Sequence, residues 1–202
     1  MPDEKYSGRK FETAFASMEV PDDSRIAELM EWGERLHGMG LMPAEKGGFA
    51  GNMSFRNQKG FVITAGGISK GKLQRRDFVQ VVSCSIDQKK AVAEGLAEPS
   101  SETFTHYLIY KSRPDVNAIV HVHDDLIMKN AEKMKVRMTA REHEYGTIEL
   151  AREVEEALGR QKILAVKHHG IVSVGRSIWE AGRWILTFHD KAEGLEGKKD
   201  GN

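Results

Sequence analysis
The sequence predicts a single α/β domain whose sheet contains an antiparallel section, and three observations predict it. Segments with helical spacing of apolar residues alternate along the chain with short runs rich in β-branched and aromatic residues. Three of the extended runs follow one another with turn signals between them, as in an antiparallel meander. The 202 residues contain neither an internal repeat nor an interdomain linker, which fits one domain with enough length for a full core.

Taken in order, residues 1–20 read as a polar leader and 21–192 as the folded domain. From Ser24 to Leu36, Ile26, Leu29, Met30 and Leu36 follow helical spacing, with Ser24 as the expected cap and Gly38 and Gly40 as the stop. The meander comprises Ala50–Arg56, Phe61–Ala65 and Phe78–Ile86, separated by Gln58-Lys-Gly60 and Ala65-Gly-Gly67. Ser100-Ser101-Glu102 opens a helix that runs to about Lys111 and ends before Pro114, because the residue preceding proline disfavours helical geometry. A strand over Ala118-Ile119-Val120 follows, then a helix from Thr147 to Leu158 with Gly159 at its end. Strands Lys162–Lys167 and Ile171–Val174 precede a last helix from Ser177, carrying Ile178, Ala181, Ile185, Leu186 and Phe188. Residues 193–202 read as a disordered tail.

Composition excludes several classes of function. Lys+Arg and Asp+Glu are both 30, so the basic footprint of a nucleic-acid binder is missing. No apolar run reaches the roughly 18 residues that a membrane span requires, and Met1-Pro-Asp-Glu-Lys5 lacks a signal core, so the expected address is cytoplasmic. The single cysteine, Cys84, sits in a strand pattern and reads as a small buried hydrophobe.

The chemistry is concentrated in histidines. His121 and His123 stand two apart at a strand end, where residues i and i+2 project from the same face with imidazoles close enough to share one ion. A third imidazole comes from the Lys167-His168-His169-Gly170 turn. Three imidazoles are the usual protein share of a catalytic zinc site that keeps one position open. Glu102 is the acid/base candidate, although a carboxylate in a first helical turn is also stabilised by the helix dipole alone. Burial beside an apolar wall would raise its pKa towards the working range.

Gly51-Asn52-Met53-Ser54, Ile63-Thr64-Ala65-Gly66-Gly67, Pro99-Ser100-Ser101-Glu102, His106, Tyr110, Arg113-Pro114-Asp115, Asn117 to His123, Tyr145-Gly-Thr, and His168-His169-Gly170 occur in the order that resembles the class II aldolase/adducin family. The resemblance spans roughly Ile26 to Leu186, and the block from Ser100 to His123 is its most specific part. It implies a three-layer α/β/α domain with a largely antiparallel central sheet, a homotetramer, and a small-molecule sugar phosphate or related hydroxyketone as substrate. It implies Zn2+, or another divalent metal, on His121, His123 and His169, with Glu102 as acid/base and His168 outside the ligand set. By the same resemblance Gly51, Asn52, Gly66, Gly67, Ser100 and Ser101 hold the substrate phosphate, and a helix N-terminus at the serine pair favours an anion.

The chain departs from the family pattern at two places. Ala65 and Gly66 replace a proline and a hydroxyl residue, leaving glycine N–H groups as an anion nest. The interval from His123 to Tyr145 is shorter than in the fuculose-phosphate enzyme and lacks the stretch bearing its catalytic tyrosine, which makes Tyr145 the substitute proton donor. His106 either orients Glu102 or packs, and Asp124 and Asp125 either support the metal or cap a helix. Trp179 and Trp184 read as core or subunit packing; Lys70 and Lys72 either draw an anion to the Gly66-Gly67 loop or, as is usual for loop lysines, are simply solvated. The function expected is a zinc-dependent aldolase working through a metal-stabilised enediolate. A related dehydratase or epimerase, and a non-enzymatic adducin-like module, stand as alternatives.

Overall fold
The computed structural model describes residues 9–45 and 47–197. Among them are the strands β1 (Glu12–Ser17), β2 (Ala44–Glu45), β3 (Gly48–Phe49), β4 (Asn52–Asn57), β5 (Gly60–Thr64), β6 (Phe78–Ser85), β7 (Lys90–Glu94), β8 (Ala118–Val122), β9 (Ile163–Val166) and β10 (Gly170–Gly175). The helices are α1 (Ile26–Gly38), α2 (Thr103–Ser112), α3 (Asp125–Asn130), α4 (Ile148–Leu158) and α5 (Ile178–Glu196). Eight strands form one sheet in the order β1-β7-β6-β5-β4-β8-β10-β9, and β2 and β3 form a separate hairpin. Every pairing in the large sheet is antiparallel except that of β1 with β7.

Strand alternation divides the interior into two cores. Ala118, Val120 and Val122 of β8, with Met53 and Phe55 of β4, pack against residues of α1, α3 and α5. Ile119 of β8, with Val172 and Val174 of β10, packs against Ile109 and Tyr110 of α2 and Leu150, Val154 and Leu158 of α4. The result is the expected three-layer α/β/α arrangement around a largely antiparallel sheet. On α4 the buried residues Leu150, Ala151, Val154 and Leu158 recur every three to four positions, so one stripe faces the sheet.

Local chemistry explains most of the element ends. Thr147 accepts a hydrogen bond from the Leu150 N–H and caps α4, and Ser177 does the same for α5 through Glu180. Asp124 caps α3 by accepting from the Ile127 N–H at 2.9 Å. Ser24 is not a cap: α1 begins at Ile26, and Asp23 instead accepts from the Arg25 N–H at 3.1 Å.

Three further expectations need correction. Residues 12–17 of the polar leader form β1, an edge strand whose mixed, half-exposed side chains carry little apolar pattern but whose backbone pairs with β7. The meander also has a fourth strand, β7, with Ala91 and Ala93 buried on alternate positions. At the other end, α5 continues through Glu196 into the segment read as tail. Leu195 packs on the core, and Glu196 accepts from Lys129 at 2.6 Å and Asn130 at 3.1 Å. The outer parts of both terminal segments, 1–8 and 198–202, lie outside the described residues. No helix among the described residues is long and apolar enough to cross a membrane.

Candidate metal centre and catalytic cleft
The sheet register places the first imidazole. His121 pairs with Asn52 of β4 on one side and Val172 of β10 on the other, and it shares the face of Ile119, toward α2. His123 lies just beyond the strand end, where its N–H donates to the Leu41 carbonyl at 2.9 Å. The third comes from the turn between β9 and β10. There His168 adopts a left-handed φ of 57° with its side chain exposed, and His169 turns inward. Gly170 allows the close approach: a Cβ there would lie 2.5 Å from the Val122 carbonyl and 2.8 Å from His121 Cε1.

The three rings meet with centroids 4.9 to 5.1 Å apart, and one nitrogen from each falls within 4.8 Å of the others. Glu102 stands at the N-terminus of α2 with Oε1 2.8 Å from His169 Nε2 and Oε2 3.1 Å from His121 Nε2. This donor set fits a divalent cation. His121 Nδ1 lies 3.1 Å from the Ile171 carbonyl, which assigns the proton to Nδ1 and a lone pair to Nε2. That Nε2 is buried and has no hydrogen bond, and burial pushes the imidazole down to about 3. A lone pair and a carboxylate facing each other away from water call for a cation between them. Three imidazole ligands leave room for a further ligand, as a catalytic ion requires.

A second network holds Glu102. Asn52 Nδ2 donates to Glu102 Oε2 at 2.7 Å, so its oxygen faces His106 and accepts from Nε2 at 2.6 Å. Burial pushes His106 down to about 4, leaving it neutral with Nδ1 as acceptor for the Ser54 hydroxyl at 2.6 Å. The Ser54 oxygen then accepts from the Tyr110 hydroxyl at 2.7 Å. Polarity is consistent along the whole chain. Its geometry follows from periodicity, since Asn52 and Ser54 are two apart on a strand while Glu102, His106 and Tyr110 are four apart along α2. Burial raises the Glu102 pKa as expected, but the neighbouring His121 and His169 and the hydrogen bonds from His169 and Asn52 more than offset it. The carboxyl is held well below the usual range, so at neutral pH it is a base.

All the candidate residues line one cleft: His121, His123, His169, Glu102, Tyr145, Asn52, Gly51, Gly66, Gly67, Ser100 and Ser101. Ser100 also accepts from the Glu102 N–H at 3.3 Å, which ties the serine pair to Glu102. Asp124 does not support the histidine cluster directly; beyond its cap it accepts from His189 Nδ1 at 2.7 Å. Trp179 is 60% exposed and so is not core. Cys84 is half-buried, with its thiol pushed up to about 12 by burial.

One lining residue escaped the sequence reading, and a second was read as solvated. Glu45, on the β2–β3 hairpin, accepts from His123 Nδ1 at 2.7 Å, and that bond holds its carboxyl below the usual range. Its only sequence signal is a lone acid in a Gly-containing loop. Lys70, expected to be solvated, is 1% exposed because α1 packs over its turn.

Comparison with known proteins gives one answer. The profile of the Class II Aldolase and Adducin N-terminal domain matches residues 27–194. The chain is 28% identical over 164 residues to the 5-methylthioribulose-1-phosphate/5-deoxyribulose-1-phosphate aldolase of Rhodospirillum rubrum, covering 72% of this chain and 70% of that protein. It is 33% identical over 117 residues to the methylthioribulose-1-phosphate dehydratase of Leptospira interrogans, covering 54% of this chain and 45% of that protein. An L-fuculose 1-phosphate aldolase structure superposes with a TM-score of 0.72 over 91% of this chain and 90% of that one; at 24% identity this is a likeness of fold. The chain belongs to the class II aldolase and adducin family, as an enzyme of the metal-dependent aldolase type.

Proposed function
We propose that this protein is a zinc-dependent aldolase that makes and breaks a carbon–carbon bond in a small ketose phosphate. The observation that carries this reading is the buried carboxylate of Glu102 set against the nitrogens of His121 and His169. An ion held by His121, His123 and His169 supplies a Lewis acid that stabilises negative charge beside the reacting carbon.

The residues of the chain do the rest. In the direction of bond formation, the Glu102 carboxylate takes a proton from the hydroxymethyl carbon next to the ketone. That carbon adds to the aldehyde carbon, and the Tyr145 hydroxyl gives its proton to the aldehyde oxygen; cleavage reverses each transfer. Asn52 keeps the Glu102 carboxylate in place. Glycine N–H groups at 51, 66 and 67 and the Ser100 and Ser101 hydroxyls receive the phosphate. Family membership supports the further reading of a cytoplasmic homotetramer.

The test is deuterium exchange from D2O into dihydroxyacetone phosphate, read by NMR on zinc-loaded protein. Exchange that a chelator and Glu102→Gln both abolish supports the aldolase. Absence of exchange from zinc-loaded protein overturns it in favour of the sugar-phosphate dehydratase, the activity for which the Leptospira relative is named.

A further inference from the structure
We propose that Lys70 is the cationic anchor for the substrate phosphate, pairing with a phosphomonoester dianion and selecting phosphorylated over neutral ketoses. This rests on the reading of the cleft given above and adds a residue to it. Lys70 lines the cleft together with Gly66, Gly67, Ser100 and Ser101, and among the described lining residues it is the one lysine or arginine. Its Nζ donates one hydrogen bond, to the Ile68 carbonyl at 2.7 Å, and it has no ion-pair partner among the described residues. An ammonium carries three donors, so two lack an acceptor among the described residues.

A lysine in such a place is costly, because a buried charge is normally paired. The fold nevertheless holds it there. Residues 70–72 form a 3-10 turn that Ser69 caps through the Gly71 N–H, and Leu73 beyond it is buried. On the outer side α1 presses against the turn at Gly33, where a Cβ would stand 2.9 Å from the Lys70 carbonyl and 2.8 Å from Leu73 Cδ1. With its backbone closed off by α1, the Lys70 side chain belongs to the wall of the cleft. Burial pushes its pKa down to about 8, which still leaves the ammonium as the main form at pH 7.

The ligand chemistry follows from the surroundings. The neighbouring donors are uncharged, whereas Glu45 and Glu102 share the cleft and repel an anion. A dianion therefore gains most from the one local cation, since a charge-assisted hydrogen bond is roughly twice as strong as a neutral one. A neutral ketose gains nothing from it.

Inorganic phosphate is the probe, titrated by 31P NMR into zinc-loaded protein between about pH 8 and 9.5, where it is mainly a dianion. Wild type is expected to bind with a Kd that rises as Lys70 loses its proton. Lys70→Met weakens binding about ten- to hundredfold and removes that pH dependence, while Lys70→Arg keeps binding without it. Glu45, Glu102, Tyr145 and the cleft histidines, and His37 packed against Gly71 on the α1 side, are common to wild type and Lys70→Met, so the difference isolates Lys70. Lys70→Met should melt no lower than wild type, because it removes a buried unpaired charge. An unchanged phosphate Kd in Lys70→Met, including the case of phosphate held on zinc, overturns the proposal. Deuterium exchange into dihydroxyacetone phosphate separates the two readings: wild type that exchanges but binds phosphate independently of Lys70 leaves the aldolase standing, whereas zinc-loaded wild type that neither exchanges nor binds phosphate sinks both.

Discussion

Asn52 and Glu102 are fifty residues apart in sequence and joined by a 2.7 Å hydrogen bond in the centre of the molecule. The bond orients Glu102 towards the histidine cluster and obliges the Asn52 oxygen to face His106. In Asn52→Leu the carboxylate loses its donor and the His106 N–H loses its acceptor. Loss of orientation at the reacting atom is expected to slow deuterium exchange by about a hundredfold. Stability should fall by about 1–3 kcal/mol, the usual cost of leaving a buried polar group unsatisfied. Zinc content unchanged from wild type, measured alongside, separates this from damage to the ion site.

His106 gives the protein an acid weakness. Its pKa is pushed from 6.5 down to about 4 by burial, so the unfolded state takes up a proton at a pH where the folded state does not. The stability from the neutral imidazole is complete above about pH 6.5 and is lost as pH falls towards 4, amounting to about 3 kcal/mol. His106→Asn should therefore lose less melting temperature than wild type over that window, by about 6 to 12 °C. Equal losses in the two proteins would show that His106 is not the group responsible.

Tyr145 and Glu102 line the same cleft but have separate tasks in the proposed reaction. Tyr145→Phe is expected to cut cleavage by about two to four orders of magnitude while leaving deuterium exchange and zinc content intact. Full cleavage activity in this variant would remove Tyr145 from the mechanism.

Gly170 tests the approach of β10 to β8. Gly170→Ala places a methyl group 2.5 Å from the Val122 carbonyl and 2.8 Å from the His121 ring. The strand has to shift, at a cost of about 1–3 kcal/mol. Displaced imidazoles should weaken zinc by about ten- to a hundredfold, read by competition with a chromogenic chelator. Zinc affinity equal to wild type would mean that the turn absorbs the change.

Sequence alone determined the parts of this protein that depend on local periodicity and on recognisable spacing. The β4–β5–β6 meander, the helices starting near Thr147 and Ser177, and the pairing of His121 with His123 were legible because each rests on the local periodicity or end signals of its own element. The resemblance supplied the roles of Glu102, in the block from Ser100 to His123, and of His169, in the His168-His169-Gly170 turn. Tertiary structure alone decided the rest. β1 hid in a polar leader because an edge strand needs backbone pairing more than apolar side chains. Whether Glu102 is a base depended on the balance between burial and its neighbours, and those neighbours come from β4, β8 and the β9–β10 turn. Lys70 reads as a solvated loop lysine until α1, about forty residues earlier, is seen to lie across its turn. Burial and charge environment are properties of contacts between distant segments, and no local pattern of residues encodes them.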